Sequence, residues 1–95
     1  MSERTFYLLT YDVPDDKRRL KVAKKLEALG ERVQYSVFEA WLTEQELQTL
    51  EKQLKKVLNE TEDSIRIYQI CAACREKICT LGLGKPTAPP EVLVI

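Results

Sequence analysis

Two amphipathic helical segments, each placed between short apolar runs, limit the folds open to this chain of 95 residues. The first helix is predicted to open at Pro14, where two aspartates follow and suit the positive end of a helix, and to close at Gly30. The second opens at Thr43 with a capping box. The predicted elements are a strand at 5–11, a helix at 14–30, one bent or two short strands at 32–42, a helix at 43–59, and strands at 64–70, 77–81 and 91–95.

This order of elements predicts the class and the architecture of the fold. A β-α-β-β-α-β order is typical of an α+β, ferredoxin-like domain, in which an antiparallel sheet carries two helices on one face. We assign residues 1–82 to this domain. Residues 83–95 are predicted to be a Pro/Gly-rich tail that ends in an additional strand.

The composition excludes several classes of function. The chain has 15 Lys and Arg residues, 15 Asp and Glu residues and no histidine, which excludes a uniformly basic nucleic-acid coat, a histidine general base and a histidine-ligated zinc. No apolar run approaches the roughly 18 residues of a membrane span, so we expect a cytoplasmic protein with no membrane partner. Three cysteines are too few for a disulfide scaffold and fit a reducing compartment.

The neutral total conceals a basic face on the first helix. At about 100° per residue, Val22, Leu26 and Leu29 share the stripe that packs on the sheet, and the basic residues lie opposite. Because these basic residues have no acid among them, they repel one another, which favours a bound polyanion over a solvated helix surface. The basic face consists of Lys17, Arg18, Lys21, Lys24 and Lys25.

Arg19 departs from this pattern because it falls on the apolar stripe, one turn before Val22. Its guanidinium is expected to point toward the end of the sheet, where Asp12 follows the first strand. A half-buried arginine needs an anionic partner, so we expect either Asp12 or a bound phosphate to fill that role.

Several short motifs of the chain form a recognisable pattern. They are Tyr-Asp-Val at 11–13, Asp-Asp at 15–16, Arg-Arg at 18–19, and Arg-Val-Gln-Tyr-Ser-Val-Phe-Glu at 32–39. This pattern resembles that of the CRISPR-associated endoribonuclease family of type two, whose members accompany the spacer-acquisition integrase, and the resemblance extends over nearly the whole chain. It implies a ferredoxin-like homodimer in which the C-terminal strand of each protomer extends the partner's sheet.

The resemblance also implies roles for individual residues. The metal-binding aspartate of the family matches Asp12, and two basic residues of its first helix match Arg19 and Lys21. Lysine stands at 21 where some members have arginine, and it offers phosphate a point charge rather than a two-point grip. The remaining matches are Arg32, before the second strand, and the serine and phenylalanine of the Ser-Val-Phe segment, Ser36 and Phe38.

Two functions of different classes follow from the resemblance. The first is a Mg²⁺-dependent endonuclease that cleaves RNA or DNA during spacer acquisition, with Asp12 on the metal and Arg19, Lys21 and Arg32 on the phosphate. Because one carboxylate per chain gives a metal ion only one protein ligand, we expect a two-fold dimer to share the ion between two copies of Asp12. The second is a non-catalytic scaffold, in which the homodimer bridges two integrase dimers and the basic face binds duplex DNA.

Other residues have ordinary structural alternatives. Phe38 fits either the core or contact with a partner or a base, and Ser36 fits either such a contact or a bulge. Trp41 and Tyr68 are assigned to core or dimer packing. The cysteines lack a fourth ligand for structural zinc, so we expect buried small residues in a tight β connection, with a redox or metal-carrier function as the alternative. These are Cys71, Cys74 and Cys79.

Overall fold

The computed structural model describes residues 3–84 and 86–88, and its elements follow the predicted β-α-β-β-α-β order, which confirms the fold class. The region predicted as one bent or two short strands is a pair of strands joined by a turn at Tyr35 and Ser36. A short third helix follows the last strand. The elements are β1 (Thr5–Asp12), α1 (Asp16–Glu27), β2 (Glu31–Gln34), β3 (Val37–Leu42), α2 (Glu44–Val57), β4 (Ser64–Ile70) and α3 (Ala72–Arg75).

The four strands form one antiparallel sheet in the order β2-β3-β1-β4. The central strand β1 pairs with β3 and with β4, and its last residue, Asp12, lies opposite Ser64. A shift in the pairing of β2 with β3 lies between Arg32 and Gln34. The end of β1 therefore lies between β4 and the β2–β3 turn, at one end of the sheet.

Both long helices cover the same face of the sheet, as predicted. Successive side chains of a strand alternate between the two faces, and those of β1 and β3 that face the helices are buried. Leu26 of α1 and Leu54 of α2 are 2% and 3% exposed, so the apolar stripes of both helices pack into this core. The strand residues of the core are Tyr7, Leu9, Tyr11, Phe38, Ala40 and Leu42.

Capping side chains fix where the two long helices begin. Asp15 is the N-cap of α1, and its carboxylate accepts a hydrogen bond from the backbone N–H of Arg18 at 2.9 Å. The helix therefore starts at Asp16, two residues later than the predicted start at Pro14. The predicted capping box of α2 is confirmed, since Thr43 and Glu46 each accept a hydrogen bond from the other's backbone N–H.

Gly30 lies beyond the helix that it was predicted to terminate. The helix α1 ends at Glu27, and among the described residues a positive φ occurs only at Gly82 and Gly84. A Cβ atom on Gly30 would lie 2.5 Å from the carbonyl oxygen of Glu39. Glycine is therefore required here because the chain passes directly against β3.

The tail covers one end of the opposite face of the sheet. The rings of Phe6 and Trp41 pack there at 5.2 Å between centroids, and the guanidinium of Arg75 lies 4.6 Å above the Trp41 ring. The indole N–H of Trp41 donates to the carbonyl of Thr87 at 2.9 Å, and the backbone N–H and hydroxyl of Thr87 donate to Glu39. These contacts of Thr87 lie toward the start of β1, since Trp41 and Glu39 pair with Phe6 and Leu8.

The strand predicted at 77–81 is wrong. Cys71 caps α3, and the backbone N–H groups of Lys77 and Ile78 then bond to the carbonyls of Cys74 and Arg75 in turns, so they are not available to a sheet. The strand predicted at 91–95 lies outside the described residues.

Candidate functional site

Asp12 is exposed at the end of β1, where three parts of the chain converge. On one side β4 places Ser64 directly opposite Asp12. On the other side, the backbone N–H of Tyr11 donates to the carbonyl of Ser36 at 3.1 Å, which fixes the β2–β3 turn beside the strand end. The sheet therefore presents the Asp12 carboxylate to solvent on a rigid framework.

A shallow depression of about 330 Å³ lies beside this carboxylate on the face opposite the helices. Arg66 and Tyr68 of β4 line it together with Thr10 and Asp12 of β1. Arg66 is not among the residues that the sequence predicts for the site. Tyr68 is 46% exposed in the single chain, so of its two predicted roles core packing is wrong and dimer packing stays a prediction. Alternation along β4 was the available signal, because Ile65 and Ile67 pack on the core and the residues between them face the other way.

Arg66 supplies a positive charge to this depression. The neighbouring Tyr68 phenol raises the pKa of the Arg66 guanidinium, first by a hydrogen bond and then by charge interaction, so Arg66 is cationic at any physiological pH. Thr10 lies opposite Arg66 across the two strands, two residues before Asp12. The arrangement places a cation and a carboxylate on one exposed surface, which suits a ligand that carries both phosphate and metal.

Arg19 points toward the end of the sheet, as expected, but its anionic partner is Asp16 rather than Asp12. Its guanidinium also donates to the carbonyls of Val13 and Pro14, at 3.0 and 3.3 Å. The side chain is 44% exposed, so just over half of its surface is covered. The segment between β1 and α1 curls around the guanidinium and supplies the partners that a buried position would have required.

The basic face loses one of its predicted members. Arg18 forms a two-point ion pair with Asp63, at 2.8 and 3.1 Å, and a further contact with Glu62 at 3.2 Å. Its side chain is only 24% exposed. The assignment of Arg18 to an outward, nucleic-acid-binding face is therefore wrong, because two nitrogens of its guanidinium donate to Asp63 in the loop before β4.

The lysines of the basic face remain available. Among the described residues, none of the four lysines forms an ion pair within 4.0 Å. Three of them line a groove of about 760 Å³ between α1 and α2, and Lys17 is exposed nearer the start of the helix. The three in the groove are Lys21, Lys24 and Lys25.

Arg32 is held on the helix side of the sheet. Its guanidinium is 3.0 Å from the carboxylate of Glu27 and 5.2 Å from the centroid of the Phe38 ring. Phe38 itself is fully buried, so of its two alternatives the core is correct and contact with a partner or a base is wrong. The structure brings Ser36 to the Asp12 end of the sheet, through the turn, but it does not bring Arg32 there.

The comparisons with known proteins are consistent with this fold. The family model for CRISPR associated protein Cas2 matches residues 5–78. The chain belongs to the Cas2 family. A curated member from Chloroflexus aurantiacus, named CRISPR-associated endoribonuclease Cas2 1, is 46% identical over 91 residues, which cover 95% of this chain and 98% of the relative. The predicted family resemblance is therefore confirmed.

Two solved structures have the same architecture as this chain. Streptococcus pyogenes Cas2 superposes with a TM-score of 0.72 and 36% identity, over 81% of this chain and 99% of that one. A chain of a partial Cas6-RT-Cas1–Cas2 complex superposes with a TM-score of 0.72 and 31% identity, over 81% and 90% of the two chains. The Cas2 fold therefore accounts for the sheet and both long helices.

The cysteines are not the buried residues that were predicted. All three are exposed, and the Cys71 sulfur caps α3 by accepting a hydrogen bond from the backbone N–H of Cys74 at 3.4 Å. This bond, which is the largest effect, and a hydrogen bond from the Cys74 thiol both lower the pKa of the Cys71 thiol. The hydrogen bond between the two side chains raises the pKa of the Cys74 thiol. Cys71 and Cys74 are exposed on this turn of helix, which follows the end of β4, and Cys79 is exposed in the irregular segment beyond it.

The described residues contain neither a ready-made metal cluster nor a membrane-spanning helix. No cluster of three or more histidine, cysteine, aspartate or glutamate side chains within residues 3–84 and 86–88 could hold a metal ion. None of the helices in that part of the chain is long and apolar enough to cross a membrane.

Proposed function

We propose that this Cas2-family protein is a metal-dependent endonuclease that hydrolyses phosphodiester bonds in RNA or DNA during spacer acquisition. The observation that carries the proposal is the state of Asp12. Its carboxylate is exposed at the rim of the depression that the cationic side chain of Arg66 also lines. Within the described residues this carboxylate forms no ion pair. The name endoribonuclease of the Chloroflexus aurantiacus relative supports the same activity.

The oxygen ligands available at Asp12 suit Mg²⁺ that is bound partly by water and substrate, rather than a metal ion that protein side chains alone coordinate. Mg²⁺ prefers oxygen ligands and is commonly bound by one or two carboxylates together with water and substrate phosphate. Asp12 provides one exposed carboxylate, and the described chain has no cluster that would hold an ion without substrate. When bound, the metal would polarise the phosphate and lower the pKa of a bound water.

We propose that the active unit is a homodimer in which two copies of Asp12 approach across a two-fold axis. Asp12 is the one acidic residue that lines the depression in the described chain, and a two-fold axis doubles every group that lies near it. The exposure of Asp12 at the end of β1 supports this, because it leaves the carboxylate accessible to a second copy of the chain. The Cas6-RT-Cas1–Cas2 complex supports the Cas1 integrase as a further partner.

The basic residues have separate tasks in this proposal. Arg19 borders the Asp12 end of the sheet through the carbonyls of Val13 and Pro14 and is exposed enough to exchange Asp16 for a phosphate oxygen. It would stabilise the charge on the phosphate as a water oxygen bonds to phosphorus and the ester oxygen departs and takes up a proton. Arg32 would contact nucleic acid farther from the cleaved bond.

The test is a cleavage assay with matched variants. Wild type, Asp12→Asn and Glu44→Gln, which removes an exposed carboxylate at the start of α2, are purified identically and incubated with labelled single-stranded RNA or duplex DNA, with Mg²⁺ or EDTA. Glu44 follows the end of β3 that pairs with the start of β1, at the other end of the sheet from Asp12. We expect cleavage by wild type and Glu44→Gln only with Mg²⁺, and a loss of at least about 100-fold in Asp12→Asn. Equal behaviour of Asp12→Asn and wild type would contradict the nuclease and leave the DNA-binding scaffold.

A further inference from the structure

A pair of cysteines at α3, Cys71 and Cys74, takes no part in the proposed nuclease. Cys71 directly follows Ile70, which pairs with Phe6 near the start of β1, whereas Asp12 ends that strand. Both thiols are exposed, so reagents in solution can reach them. The pair therefore needs an explanation that is separate from the chemistry at Asp12.

The backbone of α3 brings the two thiols close together. The Cys71 sulfur accepts a hydrogen bond from the backbone N–H of Cys74 at 3.4 Å, and the two thiols also hydrogen-bond to each other. The backbone N–H of Arg75 donates to the carbonyl of Cys71 at 2.8 Å, which closes the same turn. Residues three apart in a helical turn have Cα atoms about 5 Å apart, within the range of about 4.4 to 6.8 Å that a disulfide requires. An internal disulfide can therefore form without any change in the sheet.

Their contacts make the two thiols chemically different. The pKa of the Cys71 thiol is lowered, first by the backbone N–H of Cys74, and the pKa of the Cys74 thiol is raised by its hydrogen bond to Cys71. A thiolate, and not a thiol, attacks the sulfur of a disulfide. Cys71 is therefore the sulfur that attacks first, and Cys74 is the sulfur that follows.

We propose that Cys71 and Cys74 form a thiol–disulfide exchange site that reacts with low-molecular-weight disulfides and closes reversibly into an internal disulfide. The Cys71 thiolate attacks one sulfur of the small disulfide, which forms a mixed disulfide and releases one thiolate. Cys74 then loses its proton to solvent, and its sulfur attacks the Cys71 sulfur and expels the second thiolate. The protein loses two electrons, and the small disulfide gains them and leaves as two thiols.

The internal disulfide also cross-links the turn that precedes the tail. A helix of four residues has little stability of its own, and the guanidinium of Arg75 lies 4.6 Å from the centroid of the Trp41 ring. A cross-link removes conformations that the open turn can adopt. Oxidation is therefore expected to hold α3 closed and to keep Arg75 over Trp41.

The test follows the thiols of the whole chain at neutral pH, with glutathione disulfide as the probe and EDTA present. Wild type is compared with Cys79→Ser, which removes the exposed thiol beyond α3, and Cys71→Ser and Cys74→Ser are each introduced into the Cys79→Ser protein. Free thiols are alkylated, and mass spectrometry then distinguishes an internal disulfide from bound glutathione. The metal content of each protein as purified is measured first.

Wild type and Cys79→Ser are expected to form the internal disulfide without retaining glutathione, and dithiothreitol should restore both thiols. Cys74→Ser should stop at the mixed disulfide on Cys71, because no second thiol expels the glutathione. Cys71→Ser should react about fivefold more slowly than Cys74→Ser, because Cys74 lacks the backbone hydrogen bond that favours the Cys71 thiolate. In the oxidised Cys79→Ser protein, trypsin should cleave after Arg75 at least about threefold more slowly than in the reduced protein.

Several results would overturn the exchange site. Thiols that stay free, or glutathione that remains bound to Cys71 in the Cys79→Ser protein, would show that the two sulfurs do not form a disulfide. A wild-type disulfide that includes Cys79 would assign the chemistry to a different pair. Stoichiometric metal on the purified protein, with thiols that react only after chelation, would make the pair a metal-carrier site.

Two further comparisons separate the parts of the proposal. Equal tryptic cleavage after Arg75 in the oxidised and reduced proteins would reject the effect on α3. The exchange site is tested without nucleic acid, and Asp12 is unchanged in every variant. Its failure would therefore leave the nuclease proposal intact, and a failure of the nuclease assay would leave the exchange site intact.

Discussion

The guanidinium of Arg18 and the carboxylate of Asp63 form a two-point ion pair across 45 residues of chain, with N–O distances of 2.8 and 3.1 Å. The pair joins the first turn of α1 to the loop that leads into β4. The same carboxylate accepts a hydrogen bond from the backbone N–H of Asn59 at 2.9 Å, and the Asp63 side chain has no exposed surface. A charged residue of α1 is therefore part of the framework that holds β4 beside Asp12.

Asp63→Asn is expected to destabilise the fold, because it leaves the half-buried guanidinium of Arg18 without its anionic partner. Glu62→Gln is the matched control, since Glu62 also contacts Arg18 but its side chain is 57% exposed. We expect a clearly lower midpoint of thermal unfolding for Asp63→Asn and little change for Glu62→Gln, measured by circular dichroism. Similar midpoints for the two variants would show that the buried pair contributes no more than an exposed one.

The stability of the protein is expected to fall in acid, in part through Asp63. Hydrogen bonds from Arg18, the largest effect, hold the pKa of the Asp63 carboxyl below its ordinary value of about 3.9, against the opposing effect of burial. A folded pKa below the unfolded one stabilises the folded state above about pH 4, and this contribution is lost as the pH falls through the folded pKa.

Thermal unfolding of wild type and Asp63→Asn across this range provides the measurement. The difference between their midpoints should be constant between about pH 7 and pH 5 and should shrink below about pH 4. Glu46, whose pKa is lowered mainly by the backbone hydrogen bond at Thr43, is present in both proteins and so cancels in the comparison. A difference that persists unchanged in acid would contradict the role assigned to the Asp63 charge.

Reversing the charge of Lys21, Lys24 and Lys25 to glutamate is expected to weaken binding of duplex DNA. Each lost phosphate contact lowers the dependence of log affinity on log salt by about 0.9, so the slope should fall by about 2 to 3. The matched control makes the same change on α2, at Lys52, Lys55 and Lys56. Equal losses in the two triple variants would show that net charge, rather than the basic face, governs binding.

Leu54→Ala tests the packing of α2 on the sheet. Leu54 is 3% exposed, so truncation removes buried methyl groups and leaves a cavity, at a cost of about 2 to 5 kcal/mol in the free energy of unfolding. Leu20→Ala removes the same atoms from a side chain that is 62% exposed and should cost less than about 0.5 kcal/mol. Urea denaturation of both variants makes the comparison. Equal losses would place α2 away from the core.

The tertiary structure reverses some assignments that local patterns favoured. Periodicity placed Arg18 among the outward lysines, because helical spacing reports the side of a helix and not what the chain later brings against it. Asp63 arrives from a loop 45 positions away, and only the folded chain pairs the two. In the same way, burial of Phe38 depended on which face of β3 the helices cover.

The sequence by itself determined the order of the strands and long helices, the capping box at Thr43, the apolar stripe of α1, and the family, since each is encoded by neighbouring residues or by a continuous motif. Only the tertiary structure decided that Arg66 and Tyr68 border Asp12, and that the Cys-x-x-Cys pair lies exposed in a turn of helix. The physical reason is the separation along the chain over which each effect acts. Periodicity and capping act over a few residues, whereas a site on a sheet depends on strand order and register, which bring distant residues together.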